Sequence, residues 1–341
     1  MTGNDSSNVD WREGIMQRAN QLGRYVAGRF LAAAGPGDEA IPAARFLDDD
    51  YLEDCMTQAA GAEAAASIAA GHTGPAALEI HAGASRFVRH YAVSLSVPTL
   101  IGMAEGVGLD ASPAQCTLVM WKGIPYRIML SGSEVLHCAV RPASWPGGES
   151  RAVKSLDEFR AEVGRRLYGE HLAPLIARVA AITGISASLL WTNAAEAVAM
   201  ISESALEYLG DEAARPYLED RRALLDADRL PGLDDVENPM EGRMHWIALD
   251  RDTYPYGLET RSLCCLTYML DDRLGRLCSN CPHLPDDEKL ALLLERHDAP
   301  VGGPSGEAEQ KAIQRGLQRP SMRRALRAKE SRSIDQPRPD E

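Results

Sequence analysis

The sequence predicts an α+β fold that is mostly helical, with a small antiparallel β-meander and a C-terminal cysteine-bearing hairpin. Three observations predict it. Long stretches on both sides of the chain's middle place apolar residues at helical spacing. The segment from Cys116 to Val140 instead falls into short β-branched and aromatic runs separated by glycine turns. Four of the seven cysteines fall within eighteen residues, on either side of a turn-like run.

The first part of the chain reads as helical and alanine-rich. Trp11 to Ala34 carries Ile15, Leu22, Val26, Phe30 and Leu31 at helical spacing before Pro36-Gly37 interrupts it. Two further helices are expected, over 40–70 and over 81–106, the latter bent near Pro98. After Pro113, strands are expected at Cys116–Trp121, Pro125–Leu130 and Glu134–Val140, joined through Lys122-Gly123 and Ser131-Gly132-Ser133 as a three-stranded meander. Ser155 with Glu158 three residues later reads as a capping box. It opens a helix to about Ile182, followed by helices over 186–209 and 212–227. A loop over 228–242, a strand over 244–249, the cysteine segment and a short helix over 286–296 complete the ordered part. The organisation expected is an N-terminal helical region (1–75), a helical and β-meander domain (76–240), a cysteine segment (241–297) and a polar, flexible tail (298–341).

Composition narrows the function. With 341 residues, 45% hydrophobic and 25% charged, the chain has the apolar material for a sizeable core. Its net charge of −13 excludes a protein that holds nucleic acid through phosphate neutralisation. The amino terminus lacks the basic start and apolar run of a signal peptide. The longest apolar stretch, 91–104, falls short of a membrane span and contains Pro98. A cytoplasmic location is therefore expected, in which seven cysteines do not read as a disulfide framework.

The cysteines carry the chemistry. Cys264 and Cys265 are adjacent, twelve residues follow, and then come Cys278, two residues, Cys281 and Pro282. A Cys-x2-Cys turn aims two thiolates at one metal, as in zinc and iron–sulfur sites. A hairpin with Leu266 to Leu270 as its outgoing strand, a turn over 271–275 and Arg276-Leu277 returning would bring all four sulfurs to one end. Neighbouring side chains in a strand point to opposite faces, so Cys264 and Cys265 share a site only if the backbone kinks there. A two-iron cluster tolerates that bite better than one tetrahedral zinc, which favours iron–sulfur and leaves zinc open. The plainer readings are four buried structural cysteines, or a vicinal disulfide beside an unrelated redox pair.

Other candidates have plain alternatives. Cys55, Cys116 and Cys138 stand at no ligand spacing and read as structural. His283 is a donor to sulfur, an occasional ligand or a solvated loop residue, and His245 reads as structural. Asn193 contacts substrate or caps its helix. Gly106-Val107-Gly108 is a fragment of a dinucleotide fingerprint without the βαβ unit it needs, and there is no Walker loop. Electrons for a redox reaction would then come from a separate carrier, such as a ferredoxin or a ferredoxin reductase.

The Cys-Cys…Cys-x2-Cys-Pro pattern resembles the FhuF-like ferric siderophore reductase family, as does Leu189-Leu190-Trp191-Thr192-Asn193-Ala194-Ala195 upstream. The resemblance runs over roughly 80–285, and the twelve-residue spacer is longer than is usual in the family. It implies a [2Fe–2S] cluster held by Cys264, Cys265, Cys278 and Cys281. It also implies one-electron reduction of a ferric siderophore, hydroxamates first, to release Fe(II). An acidic body suits a neutral or cationic chelate. The alternative is a non-enzymatic zinc or iron–sulfur binding or sensor protein using the same cysteines.

Overall fold

The computed structural model describes residues 10–292, apart from 24–25, 32, 61–74, 122, 133, 142–144, 146–148, 234–235, 249–256, 271–276 and 290. The mostly helical α+β class is observed. Helix α1 (Trp11–Gln21) starts on Asp10, whose carboxylate accepts from the Arg12 N–H, and stops before Gly23, where φ is +84°. The helical spacing read as far as Ala34 thus ends early. Phe30 is buried by a bridge to Ile128 instead of by a helix. The expected helix over 40–70 begins as strand β1 (Glu39–Pro42), paired with β3, and a 3-10 turn (Ala43–Leu47). Helix α2 (Asp49–Ala60) follows, and the rest of that expectation, 61–74, lies outside the described residues.

Helix α3 (Pro75–Ala104) is thirty residues long and contains Pro98. Ile80, Phe87, Val88, Tyr91, Leu95 and Ile101 are all buried along it, because β-strands, α2 and later helices surround it. Among the described residues, no helix is long and apolar enough to cross a membrane. Strand β2 (Val107–Leu109) follows α3 and takes in Val107-Gly108 of the fingerprint fragment, with Gly106 in the turn before it. Gly108 there has Phe159 and Val163 so close that a Cβ would lie 2.9 Å from each.

Strands β3 (Cys116–Trp121) and β4 (Ile124–Leu130) pair antiparallel as expected, with a bulge at Val119/Met120, and β1 adds on the other edge of β3. The third expected strand, β5 (Glu134–Cys138), does not continue the meander. It pairs antiparallel with β2 and parallel with β6 (Glu149–Val153) in a second sheet. Buried Val135, Leu136 and Cys138 find a more apolar neighbour in β2, which is buried at every residue.

Helix α4 (Leu156–Gly164) starts on Ser155, whose hydroxyl accepts from the Glu158 N–H. It runs through a π-helical stretch (Arg165–Leu172) into α5 (Ala173–Thr183), so the single helix expected here contains a register change. Helices α6 (Ala187–Leu209) and α7 (Asp211–Leu225) pack on α3. Strands β7 (Met244–Ala248) and β8 (Gly257–Arg261) then form an antiparallel pair. The strand expected from Leu266 to Leu270 is a 3-10 turn over Thr267–Met269, and the turn of the expected hairpin, 271–276, lies outside the described residues. The helix expected from Asp286 starts there, while the tail over 298–341 is likewise outside.

The π-helical stretch serves a buried polar pair. His171 Nδ1 is 2.7 Å from the Ala111 carbonyl and Nε2 is 2.6 Å from the Tyr91 hydroxyl, with both side chains fully buried. A carbonyl only accepts, so Nδ1 carries the hydrogen and Nε2 accepts from tyrosine. Burial pushes the His171 pKa down to about 4, although the Ala111 carbonyl favours the charged form. The folded protein then refuses a proton that the unfolded chain accepts below its ordinary histidine value. Stability is present above about pH 6.5 and falls as pH drops toward about 4. Subtracting the urea-unfolding free energies of His171→Gln from those of the wild type across that window should reveal a loss of about 3 kcal/mol. A flat difference would place the proton in the folded state.

Candidate metal centre

Strand β8 ends at Arg261, and the chain then turns sharply. Leu266 adopts φ +59°, ψ −2°, a left-handed conformation unusual for a residue with a branched side chain, and the 3-10 turn follows. The kink demanded by adjacent cysteines therefore lies one residue after them. On the returning arm, the Cys281 N–H donates to the Cys278 carbonyl at 3.0 Å, closing a tight Cys-x2-Cys turn.

The four sulfurs meet in two pairs. Cys264 Sγ is 4.0 Å from Cys281 Sγ, and Cys265 Sγ is 3.8 Å from Cys278 Sγ. Cys265 and Cys281 are buried, whereas Cys264 and Cys278 are partly exposed. All four are free thiols, which sets aside a vicinal disulfide here. Donors point at the sulfurs: the Thr267 hydroxyl at Cys265 Sγ (2.8 Å), the Leu266 N–H at Cys264 Sγ (3.4 Å) and an Arg89 N–H at Cys278 Sγ (3.7 Å). The His283 backbone N–H hydrogen-bonds to the Cys281 sulfur, while its ring stands edge-on to Tyr268 at 6.2 Å. The donor to sulfur expected of His283 is thus its backbone.

These contacts divide the charge within the group. Hydrogen bonds from Cys264 and Cys278 hold Cys265 well below the ordinary thiol range against its burial, with Arg261 and Arg89 adding to the effect. A hydrogen bond from Cys264 also lowers Cys281. Among the described residues, no three ligating side chains are drawn in tightly enough to close on one ion. Two sulfur pairs, with donors aimed at them, fit a group that presents two metal atoms. A two-iron cluster takes two thiolates per iron in this way.

Beneath the sulfurs lies a polar layer that sequence reasoning missed. Glu196, on α6, is buried and accepts from Arg89 on α3 through both oxygens at 2.7 Å. It also accepts from Arg261 at 2.8 Å and from the Asn280 amide at 2.9 Å. Arg261 is fully buried and reaches Asn193 Oδ1, while Asn193 Nδ2 donates to the Ser85 carbonyl at 3.0 Å and hydroxyl at 3.1 Å. Asn193 therefore neither caps its helix nor faces solvent. It stands one helical turn from Glu196 on the same face, and together they take the charge of Arg261. Burial pushes the Glu196 carboxyl up, but Arg261 and Arg89 together hold it below the ordinary value.

The remaining candidates are structural. His245 on β7 hydrogen-bonds to the hydroxyl of its cross-strand partner Thr260. Cys55, Cys116 and Cys138 are buried in the core, and burial pushes the Cys55 thiol up to about 11. The missed residues left one signal: Glu196 sits among alanine and apolar residues where a solvated charge has no reason to be.

Residues 85–252 match the family described as ferric iron reductase FhuF-like transporter, the family whose resemblance the cysteines suggested. Ser85, Arg89, Asn193 and Glu196 lie inside the match, and Arg261 with the four cysteines lies beyond its end. No curated protein matches the chain. Among solved structures, the aerobactin synthetase IucC from a hypervirulent pathotype of Klebsiella pneumoniae aligns at 14% identity with a TM-score of 0.42. The alignment covers 60% of this chain, which spans 36% of the length of that one.

The buried carboxylate generates a prediction. Glu196→Ala leaves a fully buried guanidinium without its counter-charge and should cost about 3–5 kcal/mol in urea unfolding. Converting Arg261→Met in the same chain should recover part of that loss, since the two changes couple. Strictly additive costs would show that the pair does not interact.

Proposed function

We propose that this chain, whose residues 85–252 match the FhuF-like ferric iron reductases, reduces Fe(III) held by a siderophore, hydroxamates first, through a [2Fe–2S] cluster on Cys264, Cys265, Cys278 and Cys281. The observation that carries the reading is the pairing of these sulfurs at 3.8 and 4.0 Å directly above Arg89 and Glu196, which belong to the matched segment. When bound, such a cluster supplies one electron at a time. The reaction balances as Fe(III)-siderophore plus one electron giving Fe(II), which leaves because hard hydroxamate oxygens hold the less charged ion far more weakly.

The chain's own residues supply everything around that transfer. Hydrogen bonds from Thr267, the Leu266 and His283 amides and Arg89 withdraw electron density from the sulfurs, which favours the reduced, more negative state. Burial of Cys265 and Cys281 shields one side from water. Partial exposure of Cys264 and Cys278 leaves the other side within reach of a docked chelate. Lacking a nucleotide-phosphate loop in its sequence, the protein takes its electron from a separate carrier such as a ferredoxin or its reductase.

Protein purified anaerobically should contain about two irons and two sulfides per chain. Stoichiometric zinc without sulfide would move the assignment to a structural or sensor site on the same cysteines. Cys278→Ser should lose the visible colour, whereas Cys116→Ser should keep it at a stability cost of about 1 kcal/mol. Equal bleaching in both would mean that the ligand set is different.

A second measurement addresses turnover. Dithionite-reduced protein, freed of excess reductant, should be reoxidised by a ferrioxamine-type chelate in the presence of an Fe(II) trap, with about one Fe(II) captured per electron. NADPH alone should leave the spectrum unchanged. If no ferric siderophore reoxidises the protein faster than buffer does, the reductase reading fails.

A further inference from the structure

The two sulfur pairs are alike in spacing and differ in what faces them. Two thiolates on one tetrahedral metal, each at ~2.3 Å, stand roughly 3.8 Å apart. The Cys265–Cys278 and Cys264–Cys281 separations of 3.8 and 4.0 Å match that bite, so each pair is placed to take one iron. Each pair contains one buried and one partly exposed sulfur. Exposure therefore does not separate the two positions, whereas charge does.

Cys264 and Cys281 receive backbone amides, from Leu266 at 3.4 Å and from His283. Cys265 and Cys278 receive side chains. The Thr267 hydroxyl reaches Cys265 at 2.8 Å, and Arg89 brings a full positive charge, with its Nη1 3.7 Å from the Cys278 sulfur. Arginine has a long stem with many rotamers, but here Nε and Nη2 both donate to Glu196 at 2.7 Å, which fixes the planar fork. Nη1, the one corner the carboxylate leaves, is the corner turned to sulfur. Glu196 is also paired with Arg261 at 2.8 Å, so two guanidiniums share one carboxylate and one positive charge stays in excess.

We propose that Arg89, aimed by Glu196, fixes where the transferred electron resides: on the iron held by Cys265 and Cys278, while the iron held by Cys264 and Cys281 stays ferric in the reduced protein. The inference rests on the cluster in the reductase reading and deepens it. One electron from the external carrier enters, and no bond forms or breaks. The added negative charge lies beside a guanidinium instead of beside amides alone. A charge-assisted hydrogen bond is roughly twice as strong as a neutral one. Hydrogen bonds and net charge at the sulfurs set the potential of such clusters. Arg89 acts through Cys278, as a positioning residue.

The test reads the cluster and not turnover. Removing Arg89 leaves Glu196 with Arg261 and the Asn280 amide, so Arg89→Met should fold and keep its colour. In a spectroelectrochemical titration its reduced form should be about tenfold less favoured than in the wild type, a midpoint ~59 mV lower. Arg89→Lys, which keeps the charge without the fork, should recover most of that shift. Thr267→Val removes the hydroxyl at nearly constant shape and should move the midpoint in the same direction. It carries the titration if Arg89→Met does not hold iron. Proton NMR of the reduced wild type then locates the electron. The β-protons of Cys265 and Cys278, each assigned through its neighbours in sequence, should show the temperature dependence of thiolates on iron(II). Those of Cys264 and Cys281 should show that of thiolates on iron(III). The opposite assignment, or a midpoint that neither Arg89→Met nor Thr267→Val moves while the visible spectrum is intact, would overturn the proposal and leave the reductase reading standing. The expected asymmetry in a protein that no ferric chelate reoxidises would uphold it and sink the reductase reading. Stoichiometric zinc without sulfide would sink both.

Discussion

The candidate centre depends on one buried carboxylate. Glu196 compensates Arg89 from α3 and Arg261 from β8, so a single side chain on α6 ties three elements together at the level where the cysteines emerge. A fully buried guanidinium such as Arg261 is tolerable only with its charge and its donors satisfied, which Glu196 and Asn193 accomplish. Buried ion pairs seldom contribute much net stability, but they permit few alternative arrangements. Here that restriction falls on Arg261, three residues before Cys264, so the start of the cysteine segment has little freedom to shift.

From this anchor the remaining geometry follows by short steps. Glu259, two residues before Arg261, is also buried and is paired with Arg221 on α7, so β8 is held at two points on the same face. The Arg261 N–H donates to the Asn280 carbonyl at 3.2 Å, and the Asn280 amide returns to Glu196. The returning arm is thereby fastened to the same carboxylate as the outgoing one. The left-handed Leu266 then reverses the chain immediately after Cys265. This strain is offset by the contacts it allows, among them its own N–H on Cys264 and the Thr267 hydroxyl on Cys265.

What could be read from the sequence divides along physical lines. The helices with uninterrupted apolar spacing, α3 and α6, were legible because their faces are set by local period. The β3–β4 hairpin was legible through the Lys122-Gly123 turn, and the capping of α4 through Ser155. The third strand was not, because β5 chooses β2, a three-residue strand too short to announce itself, over the neighbour in sequence. The cysteines could be seen at once as a group, whereas their supports could not. Arg89, Glu196 and Arg261 are separated by 107 and 65 residues and become a unit only when α3, α6 and β8 are packed. Asn193 was noticed through its surrounding motif but misassigned, since its partner Arg261 is 68 residues away.

The same separation between composition and place governs the electrostatics. A net charge of −13 describes the field far from the protein, and by that measure an anionic ligand should be turned away. In physiological salt, however, the screening length is only ~8 Å, so any ligand close to the surface responds chiefly to the charges it can nearly touch. Around Cys278 those include Arg89, which contacts the sulfur, and Arg29, which senses both Arg89 and Arg127. One carboxylate, Glu196, is set among Arg89 and Arg261, leaving an excess of positive charge beneath the sulfurs. That excess stabilises thiolates, and any anionic group they hold, in a site largely withdrawn from water. Acidity over the whole surface and a cationic floor at one point are therefore compatible, and the local arrangement decides what the site attracts.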